Sequence, residues 1–582
     1  MFPGAFPFPA NLFSNRDFVI LLRIYGAVFS PKNQRFRMKS IIILELFMEE
    51  KRYNQRSAPG FGLWDRVKQC SPGVLAAFLA AFIFGYVIHL YAFTNTIPNP
   101  DGLSRIYDTQ QMTISGRWFL HYASYFHGFV QSPALIGFLS VLFLSLAAAV
   151  VADVLELRSP VTGALAGTLM VAIPSVAYTF LYMFTASAYM FGVFMAVLAV
   201  WCCDRSRWGI AAGAVLIACT MGIYQAYLPV AAALALCVVI RQSLDPDKSA
   251  GEVLRKGIRF LVSILLGIVL YYVMLKIFLA VKDLSLISYK NINDASAGVG
   301  GGLIASLWSA YKDFVSYFII PGTPSYVTKM LVVFNILLGV ISLGSLLVLV
   351  RKNRCSGGKL VLLLAAFLLM PLAVNCMAVV SQQAPIMRYS FVTVYLLAVA
   401  AIAMLEQLGE RNLLHAGLRF TAAAAVLFII LMSAQTDNTA YTESETAHRS
   451  TERFLTTLVT RVESMPGYEN GMEVAVVGSF PEDIYYSKVL AYNEVRHYSS
   501  PSSSVLMANK HIYYYLNDWL NVQWKEPSED TMKAISDSPE FQSMPLYPND
   551  GSVAIVNGRV LVRLSEQYTP KQYYEIEYEN RR

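Results

Sequence analysis

The segment that follows the first apolar stretch of the chain carries residue types that can do chemistry. It reads Asn99-Pro100-Asp101-Gly102-Leu103-Ser104-Arg105 and is followed by Gly116-Arg117-Trp118. A carboxylate within hydrogen-bond reach of a hydroxyl can act as a general base, and guanidinium groups bind phosphate through two parallel hydrogen bonds. An acidic and basic connection of this kind, in a chain with many apolar segments, points to chemistry on a membrane-borne substrate.

Both parts of this segment also have a purely structural interpretation. Pro and Gly favour turns and Asp bonds nearby backbone groups, so a plain turn would contain the same four residues around Asp101. Trp and Arg side chains suit the headgroup level of a bilayer, so Arg117-Trp118 is explained as well by an interfacial anchor as by phosphate binding. From the residues alone, a turn is the better interpretation of Asp101.

The composition places the chain among integral membrane proteins. Hydrophobic residues make up 55% of the 582 residues and charged residues 15%, with a mean hydropathy of +0.47. Soluble domains contain about 25% charged residues. The net charge of +7 is better explained by basic loops beside membrane spans than by a nucleic-acid surface, because no aromatic RNA-binding motif accompanies it. Nucleic acid is therefore excluded as a partner.

Apolar segments of suitable length predict about eleven transmembrane helices, since a span needs about 20 apolar residues within a range of about 17 to 25. Several segments are shorter than this range, which leaves the count open by about one or two. The segments are residues 74–90, 134–152, 161–178, 186–201, 209–223, 227–240, 260–280, 330–350, 360–380, 391–405 and 420–432.

The distribution of basic residues predicts the orientation, because Lys and Arg concentrate in cytoplasmic loops. With the amino terminus in the cytoplasm, the inner loops contain basic clusters at 241–259 and 351–359. An odd number of spans then places the carboxyl-terminal part outside. The outer loops are longer but contain few basic residues: Arg105, Arg117, Lys282, Lys290, Lys312, Lys329 and Arg388.

Three regions follow from these patterns. Residues 1–72 form a cytoplasmic segment, which is either an interfacial helix or an overlong start with translation beginning at Met48. Residues 73–436 form the transmembrane domain. Residues 437–582 form a small extracytoplasmic α/β domain, with a helix at 450–464 and strands at 473–478, 553–556 and 560–564. A turn at Asn557-Gly558 joins the last two strands. The predicted fold class is thus an α-helical polytopic membrane protein with a small carboxyl-terminal α/β domain.

The second long outer segment, residues 281–329, has the pattern of a hinged helix. A glycine-rich stretch at 298–302 precedes an amphipathic helix at 303–320, which we expect to lie on the membrane surface. Such an element can close over a lipid substrate.

The polar residues of two outer connections resemble those of a known family. Asp101, Arg105 and Gly116-Arg117-Trp118, together with Gly222-Ile223-Tyr224-Gln225-Ala226-Tyr227, are similar to the bacterial GtrII-like glucosyltransferases, which are multi-span enzymes that use lipid-linked sugars. The likeness covers roughly residues 73–478 in layout. Family members often have two adjacent acidic residues where this chain has Pro100-Asp101, so Asp101 is the only match and a paired-carboxylate mechanism is in doubt. With the resemblance, a functional role becomes the favoured interpretation of Asp101.

The resemblance implies a membrane glycosyltransferase. It would move a hexose, with glucose as the first candidate, from an undecaprenyl-phosphate donor to a surface polysaccharide such as O-antigen or to a lipid-linked glycan. The reaction would take place on the extracytoplasmic face of the bacterial cytoplasmic membrane, by direct displacement at the anomeric carbon with inversion. The expected partners are the lipid donor, the glycan acceptor and membrane lipid.

The same resemblance suggests roles for individual residues. Asp101 would deprotonate the acceptor, with Asp108 as the reserve base. Arg105, Arg117 and Arg388 would hold the donor phosphate. No cofactor is predicted, and no metal site either, because the sequence has no Cys/His cluster with zinc spacing; a divalent cation stays open. The candidate sugar or acceptor contacts are Trp118, Tyr224, Gln225 and Gln382.

Two rival functions fit many of the same features. A polysaccharide polymerase or ligase would share the spans and the basic outer loops, but would use a lipid pyrophosphate oligosaccharide. A lipid-sugar flippase or transporter would be expected to have broken spans or internal repeats with ionisable groups at the centre of the bilayer. The predicted spans are nearly free of charge and show no repeat, which disfavours transport.

Overall fold

The structure is a computed structural model and describes residues 70–286, 302–322, 324, 326–379, 383–408, 413–478, 505–506 and 509–565. The predicted amino-terminal segment, the glycines at 298–301 and the candidate contact Gln382 lie outside the described residues.

Helices dominate the chain up to residue 463. They are α1 Pro72–Thr94, α2 Leu120–Ala123, α3 Pro133–Val154, α4 Pro160–Ala172, α5 Pro174–Phe180, α6 Met183–Arg205, α7 Gly209–Ile223, α8 Leu228–Leu244, α9 Ala250–Lys282, α10 Gly302–Ile319, α11 Lys329–Lys352, α12 Gly357–Val374, α13 Val392–Gln407 and α14 Leu413–Glu463.

Each of the eleven predicted apolar segments corresponds to one of these helices or to a pair of them. Among the described residues, nine helices are long and apolar enough to cross a membrane, and α4 with α5 makes a tenth if the bent pair is one span. The apolar helix α7, with 15 residues, is shorter than the nine. The chain is therefore a mostly helical, membrane-type protein, and the count of eleven spans stays a prediction.

Several helices begin at a Ser-Pro pair, for a local reason. Ser71, Ser132 and Ser159 occupy the position before α1, α3 and α4, and Pro is the first helical residue of each. Proline lacks only an N–H that would have no partner in the first turn, and its fixed φ suits a helix. The hydroxyl groups of Ser71 and Ser159 also accept hydrogen bonds from backbone N–H groups of the first turn.

The third predicted segment is bent, which the apolar pattern did not indicate. Helices α4 and α5 meet at an angle of 45° across Ile173. Ile173 has an extended backbone (φ −67°, ψ 134°) because Pro174 follows it and disfavours the helical conformation of the preceding residue.

Small residues allow α1 and α4 to approach closely. A Cβ atom added at Gly163 would lie 2.0 Å from the carbonyl oxygen of Gly73, and one added at Gly167 would lie 2.2 Å from that of Ala77. Small residues spaced four apart let two membrane helices pack backbone against backbone. Such packing stabilises helix association in lipid, where burying apolar side chains gives no hydrophobic gain.

The predicted inner connections contact one another at one end of the helices. Arg241, which is buried, pairs with Glu156 at 2.7 Å. Lys256 pairs with Asp204 at 2.6 Å, and Lys359 donates to the carbonyl of Asp245 at 2.5 Å. The basic residues that predicted the cytoplasmic side thus lie together with acidic and carbonyl partners.

The chain after residue 463 contains a three-stranded sheet. Strands β1 Val474–Val477, β2 Val553–Val556 and β3 Arg559–Arg563 have the order β1-β3-β2, with β1 parallel and β2 antiparallel to β3. Helices α15 Asn509–Trp519, α16 Glu529–Ser536 and α17 Pro539–Ser543 accompany the sheet. The predicted strands and the turn at Asn557-Gly558 are confirmed, and both turn residues have positive φ as a tight hairpin requires.

The predicted helix at 450–464 is the last part of α14, which runs without a break from Leu413 to Glu463. Its buried residues Phe454, Leu455 and Leu458 pack in one core with β1 and β3. The predicted domain boundary at 436/437 therefore lies within a continuous helix.

The close contact of α1 and α4 can be tested with one methyl group. Gly163→Ala should lower the melting temperature of the detergent-purified protein, because the added Cβ meets the Gly73 carbonyl. Gly417→Ala is the matched control in α14, where no atom of the described residues lies within 4 Å of an added Cβ. It should leave the melting temperature unchanged or raise it, since Ala favours helix over Gly by about 1 kcal/mol. Equal melting temperatures for the two variants would contradict the packing.

Candidate functional site

The turn that carries Asp101 is fixed by its neighbour Asn99. The Asn99 side chain is buried, accepts a hydrogen bond from the backbone N–H of Gly102 at 2.8 Å and donates to the carbonyl of Leu181. Pro100 to Gly102 form a single 3₁₀ turn, and Asp101 is exposed. The side-chain bond that closes the turn therefore belongs to Asn99, and this weakens the interpretation of Asp101 as a plain turn residue.

Arg105 is held beside Asp101 by two interactions. Its Nε donates to the backbone carbonyl of Asp101 at 2.7 Å, and its Nη1 pairs with the carboxylate of Asp108. The guanidinium carbon also lies 5.1 Å from the ring centre of Phe184, which is a cation–π distance. Arg105 is thus placed with its charge next to the Asp101 turn.

Asp108, the reserve base, has partners on both carboxylate oxygens. Besides Arg105, it accepts hydrogen bonds from the backbone N–H of Gln110 at 2.8 Å and from the Gln110 side chain at 2.9 Å. This arrangement suits a residue that orients Arg105, whereas the predicted role of Asp108 as reserve base stays a prediction.

Arg117 reaches the same region from the second half of the loop. Its guanidinium carbon lies 4.9 Å from the ring centre of Tyr224, which stacks on Tyr189 with ring centres 4.5 Å apart. The charges of Arg117, Arg105 and Asp101 all lie within electrostatic range of the Tyr189 hydroxyl. The structure therefore brings together these three predicted residues with Tyr224.

Gln225 holds the Arg117 loop in place. Its amide nitrogen donates to the carbonyl of Ser115 at 3.1 Å and to the hydroxyl of Tyr271 at 3.0 Å. The Tyr271 hydroxyl in turn donates to the carbonyl of Gly116 at 3.1 Å. Gly116 has φ +84°, and a Cβ there would lie 2.5 Å from the Gln225 amide nitrogen, so only glycine fits. The amide nitrogen of Gln225 thus has a structural function, and its role in sugar binding stays a prediction.

Trp118 packs into the helical body beside this loop. It is buried and stacks on Phe278 of α9 with ring centres 5.3 Å apart. A Cβ added at Gly222 would lie 2.7 Å from the Trp118 ring, and the Gly222 carbonyl accepts from the N–H of Phe119 at 2.8 Å. Trp118 therefore anchors the loop to α7 and α9, and its predicted contact with sugar or acceptor is untested.

Arg388 lies in a second group of residues. Its Nη2 pairs with Asp313 of α10 at 2.8 Å, and the other oxygen of Asp313 accepts from the side chain of Asn375 at 2.8 Å. Arg388 is buried, and its Nε and Nη1 have no hydrogen-bond partner within the described part of the chain. Two donors of this guanidinium are thus directed into the interior without an acceptor.

The two groups are connected by tyrosines. The ring centres of Tyr224 and Tyr227 are 5.4 Å apart, and those of Tyr227 and Tyr389 are 6.4 Å apart. Tyr389 immediately follows Arg388. The sequence predicted that Arg388 would join Arg105 and Arg117, whereas the contacts place it in a neighbouring group with Asp313.

Sequence reasoning missed several polar residues of both groups: Asn99, Asp313, Asn375 and Asp437. Asn99 had a usable signal, because Asn at the start of a turn can bond the backbone in the same way as Asp. Asp313 also had one, since it is the acidic residue of the predicted surface helix, next to Lys312. Asn375 and Asp437 become noticeable only when their burial is known.

The first outer loop carries a buried histidine, His127. Its Nδ1 lies 2.8 Å from the hydroxyl of Ser187 in α6. Burial lowers the pKa of His127 to about 4. The folded loop therefore favours the neutral imidazole.

The tail contacts the Asp101 loop directly. Leu103 is fully buried within the core formed by α14, β1 and β3, and the indole N–H of Trp519 in α15 donates to the Leu103 carbonyl at 3.1 Å. The Asp101 turn thus lies between Leu181 of the helical body and Trp519 of the tail.

The arrangement offers an exposed carboxylate beside two guanidinium groups, but no metal cluster. Among the residues that the structure describes, no three His, Cys, Asp or Glu side chains form a group that could hold a metal ion. The chemistry that these side chains can supply is acid–base transfer at Asp101 and stabilisation of a phosphate by Arg105 and Arg117.

Comparison with known families gives one match. The family model described as glucosyl transferase GtrII matches residues 90–405. The matched range begins in α1, includes all of the predicted arginine ligands and ends in α13. No curated protein and no solved structure matches the chain.

The burial of His127 predicts a pH-dependent stability. The unfolded chain binds a proton on this imidazole near pH 6.5, whereas the folded protein does so only near its pKa of about 4. The stabilisation of the folded protein by neutral His127 is therefore complete above pH 6.5 and is lost as the pH falls from 6.5 towards 4. His127→Gln should reduce the fall in melting temperature over this range. An unchanged pH dependence of the melting temperature in that variant would contradict the role of His127. His511→Gln is the comparison variant, because His511 lies in the tail and its pKa is also lowered to about 4. It should reduce the fall in melting temperature independently of His127→Gln.

Proposed function

The chain belongs to the glucosyl transferase GtrII family, and from this premise we propose that it transfers a hexose from an undecaprenyl-phosphate donor to a surface polysaccharide. Glucose is the first candidate for the sugar, and O-antigen is the first candidate for the acceptor. The reaction takes place on the extracytoplasmic face of the bacterial cytoplasmic membrane. Family membership supports glycosyl transfer, and the arrangement of charges around Asp101 supports a phosphate-linked donor.

The observation that carries this proposal is the grouping of Asp101, Arg105 and Arg117. These residues come from two parts of one loop, yet their charges lie within range of a single hydroxyl, that of Tyr189. A base and two cations at one place are what the displacement of a sugar from phosphate requires.

The proposed reaction is a single displacement at the anomeric carbon. Asp101 accepts the proton of the acceptor hydroxyl while the oxygen of that hydroxyl forms the new bond to the anomeric carbon. The bond from this carbon to the phosphate oxygen breaks, and its electron pair remains on the lipid phosphate. Arg105 and Arg117 stabilise the negative charge that develops there, and Arg388 is a third candidate for contact with the phosphate.

The tail has a place in this proposal. Because Leu103 and Trp519 connect it to the Asp101 turn, the tail lies on the side where the acceptor must approach. We place it outside the cytoplasm, as the basic inner loops predict, where it covers the site and contacts the acceptor.

A lipid-sugar flippase is the second candidate, and one observation favours it. Helices α4 and α5 form the kind of broken span that transporters use near their substrate sites. A flippase would move the lipid donor without breaking its bond to the sugar, so purified protein given the donor and an acceptor would form no glycosidic product.

The assignment of Asp101 leads to a direct test. Asp101→Asn keeps the size of the side chain and removes the base, so transfer of glucose by the purified protein should fall by about 100-fold or more. The variant should be present in the membrane at the normal level, because Asn99 rather than Asp101 closes the turn.

Asp247→Asn is the matched control for this experiment. Asp247 is exposed in the connection between α8 and α9, among the predicted inner loops, and its variant should transfer at the normal rate. Mass spectrometry of surface polysaccharide from cells with each variant gives the same comparison in vivo. Normal transfer by the Asp101 variant would remove the base assignment.

A further inference from the structure

A buried carboxylate outside the matched family region has no explanation in the mechanism above. Asp437 lies in α14, is fully buried, and neither of its oxygens has a hydrogen-bond partner among the described residues. Removing a carboxylate from water without pairing it is costly, so such a group persists where a ligand or a function requires it. The family match ends at residue 405, so the match assigns no role to Asp437.

Asp437 lies near the outer end of the helical body. It follows the predicted span at 420–432 by five residues, which is roughly 7.5 Å along a helix. Its neighbour Asn438 donates to the carbonyl of Ile88, close to the carboxyl end of α1. This is the end of the helices at which the Asp101 turn and Arg388 are found.

Arg388 and Asp437 both lie near Tyr317 of α10. The guanidinium carbon of Arg388 is 5.8 Å from the ring centre of Phe391, which lies 4.3 Å from the ring centre of Tyr317. The charge of Asp437 also lies within electrostatic range of the Tyr317 hydroxyl. The ion pair of Arg388 is with Asp313, and its Nε and Nη1 remain without acceptors in the described part of the structure. Among the described residues, the interior near Tyr317 therefore contains unused donors on Arg388 and unused acceptors on Asp437.

Helix α10 covers this region. Ser306, Ala310 and Tyr317 form its buried face, and the half-buried Asp313 lies beside them. The opposite face exposes Ile304 and Trp308, at 85% and 72%, as expected for a helix that rests against lipid. Gly302, with φ +82°, begins the helix.

We propose that Arg388 and Asp437 are the two ends of a binding site for a sugar phosphate headgroup, closed by α10. Two donors of Arg388 hold the phosphate, and the two oxygens of Asp437 accept hydrogen bonds from hydroxyls of the sugar. Asp313 is a positioning residue, because its bond to Nη2 turns Nε and Nη1 towards the phosphate. A free phosphate would satisfy only Arg388 and a cation only Asp437, whereas a sugar phosphate satisfies both. This inference rests on the proposed function and adds the residues that recognise the donor sugar.

The first test concerns stability without ligand. Asp437→Asn should raise the melting temperature of the detergent-purified protein, because it removes a carboxylate that is buried and unpaired. Asp153→Asn is the matched control, since Asp153 is paired with Trp201 and Arg205 at 2.8 and 2.9 Å and its loss should lower the melting temperature. A fall in melting temperature for the Asp437 variant would show that the carboxylate only supports the fold and would overturn the proposal.

The second test distinguishes the phosphate end of the site from the sugar end with two probes. The first probe is farnesyl phosphate, and the second is the glucose conjugate, in which glucose is linked to the phosphate of farnesyl phosphate. In the wild type both should raise the melting temperature, the glucose conjugate by more. Asp437→Asn should keep the shift with farnesyl phosphate and lose the additional shift from glucose. The double variant Arg388→Gln/Asp313→Asn, which replaces the ion pair by a neutral one, should lose both shifts. Glucose 1-phosphate should also raise the melting temperature of the wild type, and this shift should be reduced in Asp437→Asn and lost in the double variant.

The outcomes distinguish this site from the proposed function. If the wild type binds the probes as described but transfers no glucose, the proposed function fails and the site remains. The proposed site is wrong if every probe raises the melting temperature of the Asp437 variant and of the wild type equally, or if no probe raises that of the wild type. Neither result decides whether the protein transfers glucose, which the Asp101 variant tests separately. In a transfer assay, Asp437→Asn should raise the KM for the glucose donor by about 10-fold or more with a smaller change in kcat, whereas Asp101→Asn lowers kcat.

Discussion

The position of Asp101 depends on a single buried amide. Asn99 accepts from the backbone of its own turn and donates to Leu181 in the connection between α5 and α6. On its other side the turn is held by the tail through Leu103 and Trp519. A catalytic carboxylate on a surface loop is useful only if the loop is rigid, because a small displacement of a reacting group reduces the rate strongly. The loop meets this requirement through hydrogen bonds to two separate parts of the protein.

The charged residues of the helical body differ in how completely they are paired. At the end with the basic clusters, each of Arg241, Lys256 and Lys359 has an anionic or carbonyl partner. At the other end, and among the residues that the structure describes, two nitrogens of Arg388 have no acceptor and both oxygens of Asp437 have no donor. A structural role explains the ion pairs of Arg241 and Lys256, and ligand binding is our explanation for the incomplete pairing of Arg388 and Asp437.

Much of the fold follows from local sequence signals. The apolar segments and the Asn557-Gly558 hairpin were predicted from neighbouring residues, and the structure contains helices at the segments and the hairpin at this turn. The Ser-Pro starts of α1, α3 and α4 are local signals of the same kind that the prediction did not use. The helix at 303–320 was likewise predicted from its periodicity and is present as α10.

The site was less predictable because its pairings are distant in sequence. Asp313 and Arg388 are separated by 75 positions, and no periodic pattern connects them. The turn around Asp101 was predicted, but the hydrogen-bonding role was assigned to Asp101 rather than to Asn99, since both residue types fit a turn equally well. Burial of Asp437 depends on the packing of α14 against other helices, which a single sequence does not specify.

The continuity of α14 constrains evolution of the tail. A helix turns by about 100° per residue, so insertion or deletion of a single residue between the part of α14 within the helical body and its part in the core of the tail would rotate the tail around the helix axis. Trp519 would then move away from Leu103, although every contact within the tail would be kept. Changes of length should therefore accumulate in the connections of the tail and be excluded from α14, even at its exposed positions.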